Sequence, residues 1–326
     1  MTTTASTSYK EEWLTGPQST QFYTRTYLPP GEASPKAVIV FVHGFAEHIG
    51  RYTHFHPWLA QRGIAVFAFD QRGYGLTAQD TTGRKSKTSA YGKTCWKDQM
   101  GDIDWALKHA RNLFPGIPIF LMGHSMGGAE ALGFPIETSS SYKDGLALVT
   151  AVISTSPLIA QTSPAPSLMK WLGSMASVLL PNTLIPADVN ADDLCHDSEV
   201  NAAYLKDPLV KQQGSLKGIS DMLSKGEALR KELYKNWPPA LPVLIVHGNE
   251  DKVTCCKASK EFYEAIPATN KKFELFEGGF HELQNEPDGV KEKLVEQIVN
   301  FVEETVPTAQ VSGGGGSDAS VPKASL

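Results

Sequence analysis

The chain reads as an α/β protein, a mostly parallel sheet flanked by helices and carrying an inserted helical cap. Three observations carry that reading. Five strand-length apolar runs recur: AVIVFVHG at 37 to 44, IAVFAFD at 64 to 70, IPIFLMG at 117 to 123, LALVTAVIS at 146 to 154 and PVLIVHG at 242 to 248. Runs apolar at every position suit strands covered on both faces, as in a parallel sheet. Helical patterns separate them, and strand alternating with helix builds an open sheet with right-handed crossovers. Finally, from about 157 to 239 the rhythm stops, in a stretch too long for a loop.

Each element follows from its own residues. In CWKDQMGDIDWALKHARNLF, Trp96, Met100, Ile103, Leu107, Ala110 and Phe114 step by three and four, which places them on one helix face. Val290, Leu294, Ile298, Phe301 and Val302 repeat the pattern near the end. Residues 1–19 read as a polar segment, 20–156 and 240–306 as the core, 157–239 as the cap and 307–326, rich in Gly and Ser, as a flexible tail. In the cap, Leu168, Trp171, Leu172, Met175 and Leu179 recur at helical spacing and form one apolar stripe. That stripe either packs on the core beneath it or lies in a lipid interface.

Composition narrows the function classes. A net charge of -5 provides no general attraction to nucleic acid, so none is expected as a partner. The beginning of the chain lacks the apolar run of a secretory signal, and the expectation is an intracellular protein. Cys95, Cys195, Cys255 and Cys256 form neither a disulfide framework nor a metal-type CxxC pair, and are read as free thiols.

The chemistry centres on GHSMG, Gly123 to Gly127, which follows a predicted strand and precedes a helix. A serine on so sharp a turn is exposed above the sheet, and small neighbours are needed where a Cβ would meet backbone. The helix that follows adds its N-terminal dipole beneath the site. Glycine-rich turns with an incidental serine do occur, but the placement between strand and helix favours Ser125 as a nucleophile. Its partners then lie downstream, acid first and histidine second. Of His196, His247 and His281, only His281 stands in a loop after the last strand and before the final helix; His247 ends a buried strand and reads as part of its packing. Glu250 and Asp251, just past that strand, are both candidates for the acid. An oxyanion hole needs two backbone N–H donors, and Met126, after the nucleophile, and Phe45, in the loop of FVHGF, are placed to supply them.

With these residues assembled the chain resembles the α/β-hydrolase superfamily, and more narrowly its monoacylglycerol lipase and lysophospholipase-like group, often classed with the serine aminopeptidases. The landmarks are HGFAEHIGRY (43 to 52), FDQRGYG (69 to 75), GHSMGG (123 to 128), VHGNED (246 to 251) and GGFHEL (278 to 283), in order across most of residues 20 to 305. The resemblance selects Asp251 over Glu250 and implies a triad of Ser125, Asp251 and His281. It implies that Glu47, Arg51 and His124 contact the glycerol head or ordered water; for Glu47 and Arg51 a structural ion pair is the other reading, and the two are compatible. Phe45 and Ala46 replace the smaller loop residues common in the group, and Gln284 stands where some relatives have a histidine. The implied activity is hydrolysis of a monoacylglycerol through an acyl-enzyme, with no cofactor and no metal. The implied partners are a lipid ester substrate and a peripheral membrane or lipid-droplet surface met through the cap. A lysophospholipase, a short-chain carboxylesterase, an aminopeptidase and a non-catalytic binding module are the alternatives.

Overall fold

The computed structural model describes residues 9–31, 34–137, 142–164, 173 and 175–306. Among the described residues ten strands run in chain order: β1 Lys10–Thr15, β2 Gln21–Tyr27, β3 Ala37–Val42, β4 Ile64–Phe69, β5 Ile119–His124, β6 Val149–Thr155, β7 Leu184–Pro186, β8 Gln213–Ser215, β9 Val243–Gly248 and β10 Lys271–Phe276. Eight of them form one sheet in the order β1-β2-β4-β3-β5-β6-β9-β10. From β4 to β10 every neighbouring pair is parallel, while β1 and β2 run antiparallel at one edge.

The central strands β3, β4, β5 and β9 are buried at every position, which is what their unbroken apolar runs require. Helices Trp96–Leu113 and Val290–Thr305 cover opposite faces of the sheet, the first with Met100, Ile103 and Leu107 in one apolar cluster and the second with Leu294, Ile298 and Phe301 in the other.

Two expectations need correction. The sheet begins within residues 1–19, the segment read as polar, because KEEWLT forms β1 and pairs with β2 from Lys10 opposite Thr26 to Thr15 opposite Gln21. A strand at a sheet edge faces solvent and so carries no apolar run. The run at 146 to 154 also starts as something else: Lys143–Leu146 is a helical turn, and the strand begins at Val149.

Between β6 and β9 lie the helices Ser198–Lys206 and Leu216–Lys231 and a two-stranded ribbon of β7 and β8. Side chains tie this segment to the strand ends beneath. His48 Nε2 and Asp207 Oδ2 lie 2.8 Å apart, His196 Nδ1 reaches Glu286 at 2.9 Å, and the Glu282 N–H donates to the Leu194 carbonyl at 2.7 Å. Leu168, Trp171 and Leu172 of the expected stripe lie outside the described residues. Met175 and Leu179 are 57% and 80% exposed, so these two do not pack on the core.

Candidate active site

Ser125, Asp251 and His281 each follow the carboxyl end of a parallel strand, where open α/β sheets place their ligand crevices. Ser125 sits between β5 and the helix Met126–Gly133 with φ 56° and ψ -118°. A positive φ is strained for a residue with a side chain, and such strain persists only where the surroundings enforce it. Here the Ser125 N–H donates to the Thr155 carbonyl at 3.0 Å, while its carbonyl accepts from Ala129 and Leu158 at 3.0 and 2.9 Å. The flanking glycines let the helix approach. A Cβ on Gly123 would stand 2.0 Å from the Gly127 carbonyl oxygen, and one on Gly127 would stand 2.2 Å from that of Val42. Both distances are impossible, so these two positions accept glycine alone.

The loop after β3 lies alongside. Ala46 also has φ 56°. Its conformation is held by His43, which is fully buried and kept neutral because burial lowers its pKa to about 4. Neutral His43 Nε2 accepts from the Gln71 N–H at 2.8 Å, and the Gln71 side chain donates back to the His43 carbonyl at 2.6 Å. The FDQRG turn after β4 thus pins the HGF turn. No described residue accepts from the N–H of Phe45 or of Met126, which leaves both free to meet an oxyanion.

The Ser125 hydroxyl lies 3.0 Å from His281 Nε2, and His281 Nδ1 donates to Asp251 Oδ2 at 2.8 Å. Asp251 Oδ1 accepts from the N–H groups of Val253 and Thr254, each at 2.8 Å. Burial works against the Asp251 charge, yet the facing His281 and His247 outweigh it and hold the carboxyl well below its ordinary range. Burial likewise opposes the His281 imidazolium, but the Asp251 carboxylate raises its pKa on balance, with Glu282 and Glu47 adding to the effect. Ionised acid and poised base form the arrangement that draws a proton from a serine as it attacks.

Three residues of the site escaped the sequence reading. His247 does more than pack a strand: its Nε2 donates to Asp251 Oδ2 at 3.1 Å, and its Nδ1 accepts from Ser259 Oγ at 2.9 Å. Thr254 Oγ1 stands 2.7 Å from the same carboxylate oxygen. Glu282, directly after the histidine, grips Arg51 with two bonds of 2.6 and 2.8 Å. The His247 imidazole four residues before an acid, at a strand end, was the one available signal. Thr254 and Glu282 offered none, because a threonine three residues after an acid is commonplace and Glu282 meets Arg51 only in the folded chain.

The remaining expected residues line the same cavity. Glu47 and Arg51 do form the ion pair, at 2.9 Å, and Glu47 Oε1 accepts from the Tyr52 hydroxyl at 2.7 Å and from the Gly44 N–H. His124 is buried, its ring 4.9 Å from that of His281, and burial lowers its pKa to about 3. Phe45, Glu47, Arg51, His124, Ser125 and His281 all face the cavity, while Met126 is buried beneath it. Leu158, Val189, Leu194, Met222 and Val253 add an apolar share to the lining.

The chain is similar to known proteins in sequence and in fold. Residues 33–288 match the family model described as serine aminopeptidase, S33. The chain is 33% identical over 276 residues to the putative monoglyceride lipase of Schizosaccharomyces pombe, covering 83% of this chain and 68% of that protein. It is 28% identical over 269 residues to the monoacylglycerol lipase of Mycolicibacterium smegmatis, covering 81% and 86%. In fold it is similar to the crystal structure of a soluble variant of the Saccharomyces cerevisiae monoglyceride lipase, with a TM-score of 0.77, 22% identity, and coverage of 94% of this chain and 98% of that one.

Proposed function

Because the chain belongs to the α/β-hydrolase family described as serine aminopeptidase, S33, we propose that it cleaves the acyl ester of a monoacylglycerol to a free fatty acid and glycerol. The observation that carries this reading is the unbroken relay from Ser125 through His281 to Asp251 at a cavity lined by both polar and apolar side chains.

In this mechanism His281 takes the Ser125 proton as Oγ attacks the ester carbonyl, and the Asp251 carboxylate stabilises the imidazolium that results. The tetrahedral oxygen collects negative charge between the N–H groups of Phe45 and Met126, each donor contributing on the order of 3 kcal/mol. Collapse expels the glycerol oxygen, which takes the proton from His281. Water then enters, gives a proton to the same imidazole and attacks the acyl-enzyme, and fatty acid leaves as the serine regains its hydrogen. The chain's own groups supply every proton transfer. Leu158, Val189 and Met222 receive the acyl chain, while Glu47 and Arg51 hold the loop and face the glycerol hydroxyls.

A substrate panel at fixed concentration tests the reading. Monoacylglycerols should be hydrolysed with higher kcat/KM than lysophospholipids, short-chain esters or aminoacyl amides. Fastest turnover of an aminoacyl amide or a lysophospholipid would reassign the substrate while leaving the relay intact.

The cap is the proposed contact with a lipid surface. No helix among the described residues is long and apolar enough to cross a membrane. Yet Val178 and Leu179 are 78% and 80% exposed, and Met175 and Leu180 beside them are more than half exposed. Each buried methylene contributes about 0.8 kcal/mol on entering an apolar phase, so a few such side chains supply the attraction that a net charge of -5 does not. Val178→Ser with Leu179→Ser should weaken binding to phosphatidylcholine liposomes and slow hydrolysis of dispersed long-chain substrate several-fold. Rates on a soluble short-chain ester should stay within about two-fold, since exposed side chains contribute little to folding. Equal losses on both substrates would assign the patch to structure instead.

A further inference from the structure

The polar wall of the cavity carries an uneven charge. Arg51 lies between Glu47, at 2.9 Å, and Glu282, at 2.6 Å, and the three side chains are almost wholly buried. One guanidinium thus faces two carboxylates. Among the described residues that line the cavity Arg51 is the one Lys or Arg, and Asp188, exposed on the cap side, adds a further acid. All of the Arg51 charge is engaged: Nη1 donates to both carboxylates, Nη2 donates to Glu282, and the Tyr204 ring lies 4.8 Å beneath.

Pairing of Arg51 with Glu47 alone would leave this wall neutral. Glu282 makes the difference, and its own geometry shows that it is held ionised: Oε2 accepts from Arg51 and also from the Asn285 amide at 2.6 Å. Burial opposes that charge, but the adjacent guanidinium prevails and holds its pKa down at about 2. It is fixed at both ends, since its N–H donates to the Leu194 carbonyl of the cap at 2.7 Å. It also immediately follows His281, the base.

We propose that Glu282 determines head-group specificity by leaving the polar wall with one negative charge in excess, so that esters of uncharged alcohols are accepted and esters of phosphorylated alcohols are rejected. The inference rests on the reading of the site as a monoacylglycerol hydrolase and names which glycerol esters it takes. A phosphate on the leaving alcohol carries its charge against this wall, with no unpaired Lys or Arg among the described lining residues to receive it. At separations of about 8 Å in a partly buried site, each unit of like charge costs on the order of ten-fold or more in binding.

The test compares kcat/KM for 1-oleoylglycerol and 1-oleoylglycerol 3-phosphate in the same neutral detergent micelles, for the unaltered protein, Glu282→Gln and Glu282→Asp. The unaltered protein should prefer the neutral ester by about a hundred-fold or more. Glu282→Gln, isosteric and uncharged, should narrow that ratio at least ten-fold and move the acid limb of kcat/KM to lower pH, because a carboxylate beside His281 has gone. Glu282→Asp keeps the charge and should keep the ratio even if both rates fall. A ratio unchanged in Glu282→Gln, with both substrates slowed alike, would reduce Glu282 to a structural clamp and overturn the proposal. Equal turnover of both esters by the unaltered protein would overturn it too, with the hydrolase reading intact. Turnover of neither, in protein still labelled by a fluorophosphonate, would refute the monoacylglycerol reading itself.

Discussion

Ser125→Ala and His281→Ala each lower kcat on a soluble chromogenic ester by on the order of 10⁴ to 10⁶, and the double variant is scarcely slower than either single one. The reason lies in the geometry. The Ser125 hydroxyl is 3.0 Å from His281 Nε2, so neither group does its work without the other. Residues acting as one unit give losses that do not add, and what survives is the contribution of the oxyanion donors and of substrate binding. Steady-state rates together with labelling by a fluorophosphonate check the result. Ser125→Ala should lose labelling entirely, while its melting temperature changes little, since the substitution removes one oxygen and leaves the elbow backbone in place. Turnover near that of the unaltered protein in either single variant would exclude Ser125 and His281 as the reacting pair.

Asp251→Asn should cost about 10⁴ in kcat, whereas Glu250→Gln should keep most activity, although the two carboxylates are adjacent in sequence. Glu250 is exposed, while Asp251 is buried and accepts from His281, His247 and two backbone N–H groups. An amide in place of the carboxylate cannot accept at every one of these positions, and it stabilises the wrong imidazole tautomer. The pH dependence follows with a definite sign. His281 acts as a base only when neutral, so activity rises as pH climbs through its pKa, and Asp251 raises that pKa above the ordinary imidazole value. The acid limb of kcat/KM therefore lies above about pH 6.5 in the unaltered protein and shifts to lower pH in the residual activity of Asp251→Ala. His247→Gln should shift it far less, because His247 meets the carboxylate and not the base. A crippled Glu250→Gln beside an active Asp251→Asn would place the acid one residue earlier.

What could be read from the residues alone is what local physics enforces. Strands β3, β4, β5 and β9 were visible because a strand covered on both faces must be apolar throughout, and an open α/β sheet flanked by helices follows from their alternation with helices. The elbow was visible because a helix that packs so close that a Cβ on Gly127 would stand 2.2 Å from the Val42 carbonyl oxygen must carry glycine there. β1 was missed because KEEWLT lies at the sheet edge, where its partner β2 supplies hydrogen bonds but little burial. Only the tertiary structure decided the surroundings of the relay. Arg51 and Glu282 are separated by 231 positions, and His281 and Thr254 by 27, so no spacing in the sequence links them. The segment between β6 and β9 decided a further part by bringing Leu194 to Glu282 and Tyr204 to Arg51. Long-range polar contacts carry no periodicity, because a buried charge needs a partner within about 3 Å and the chain can deliver that partner from any distance along its length.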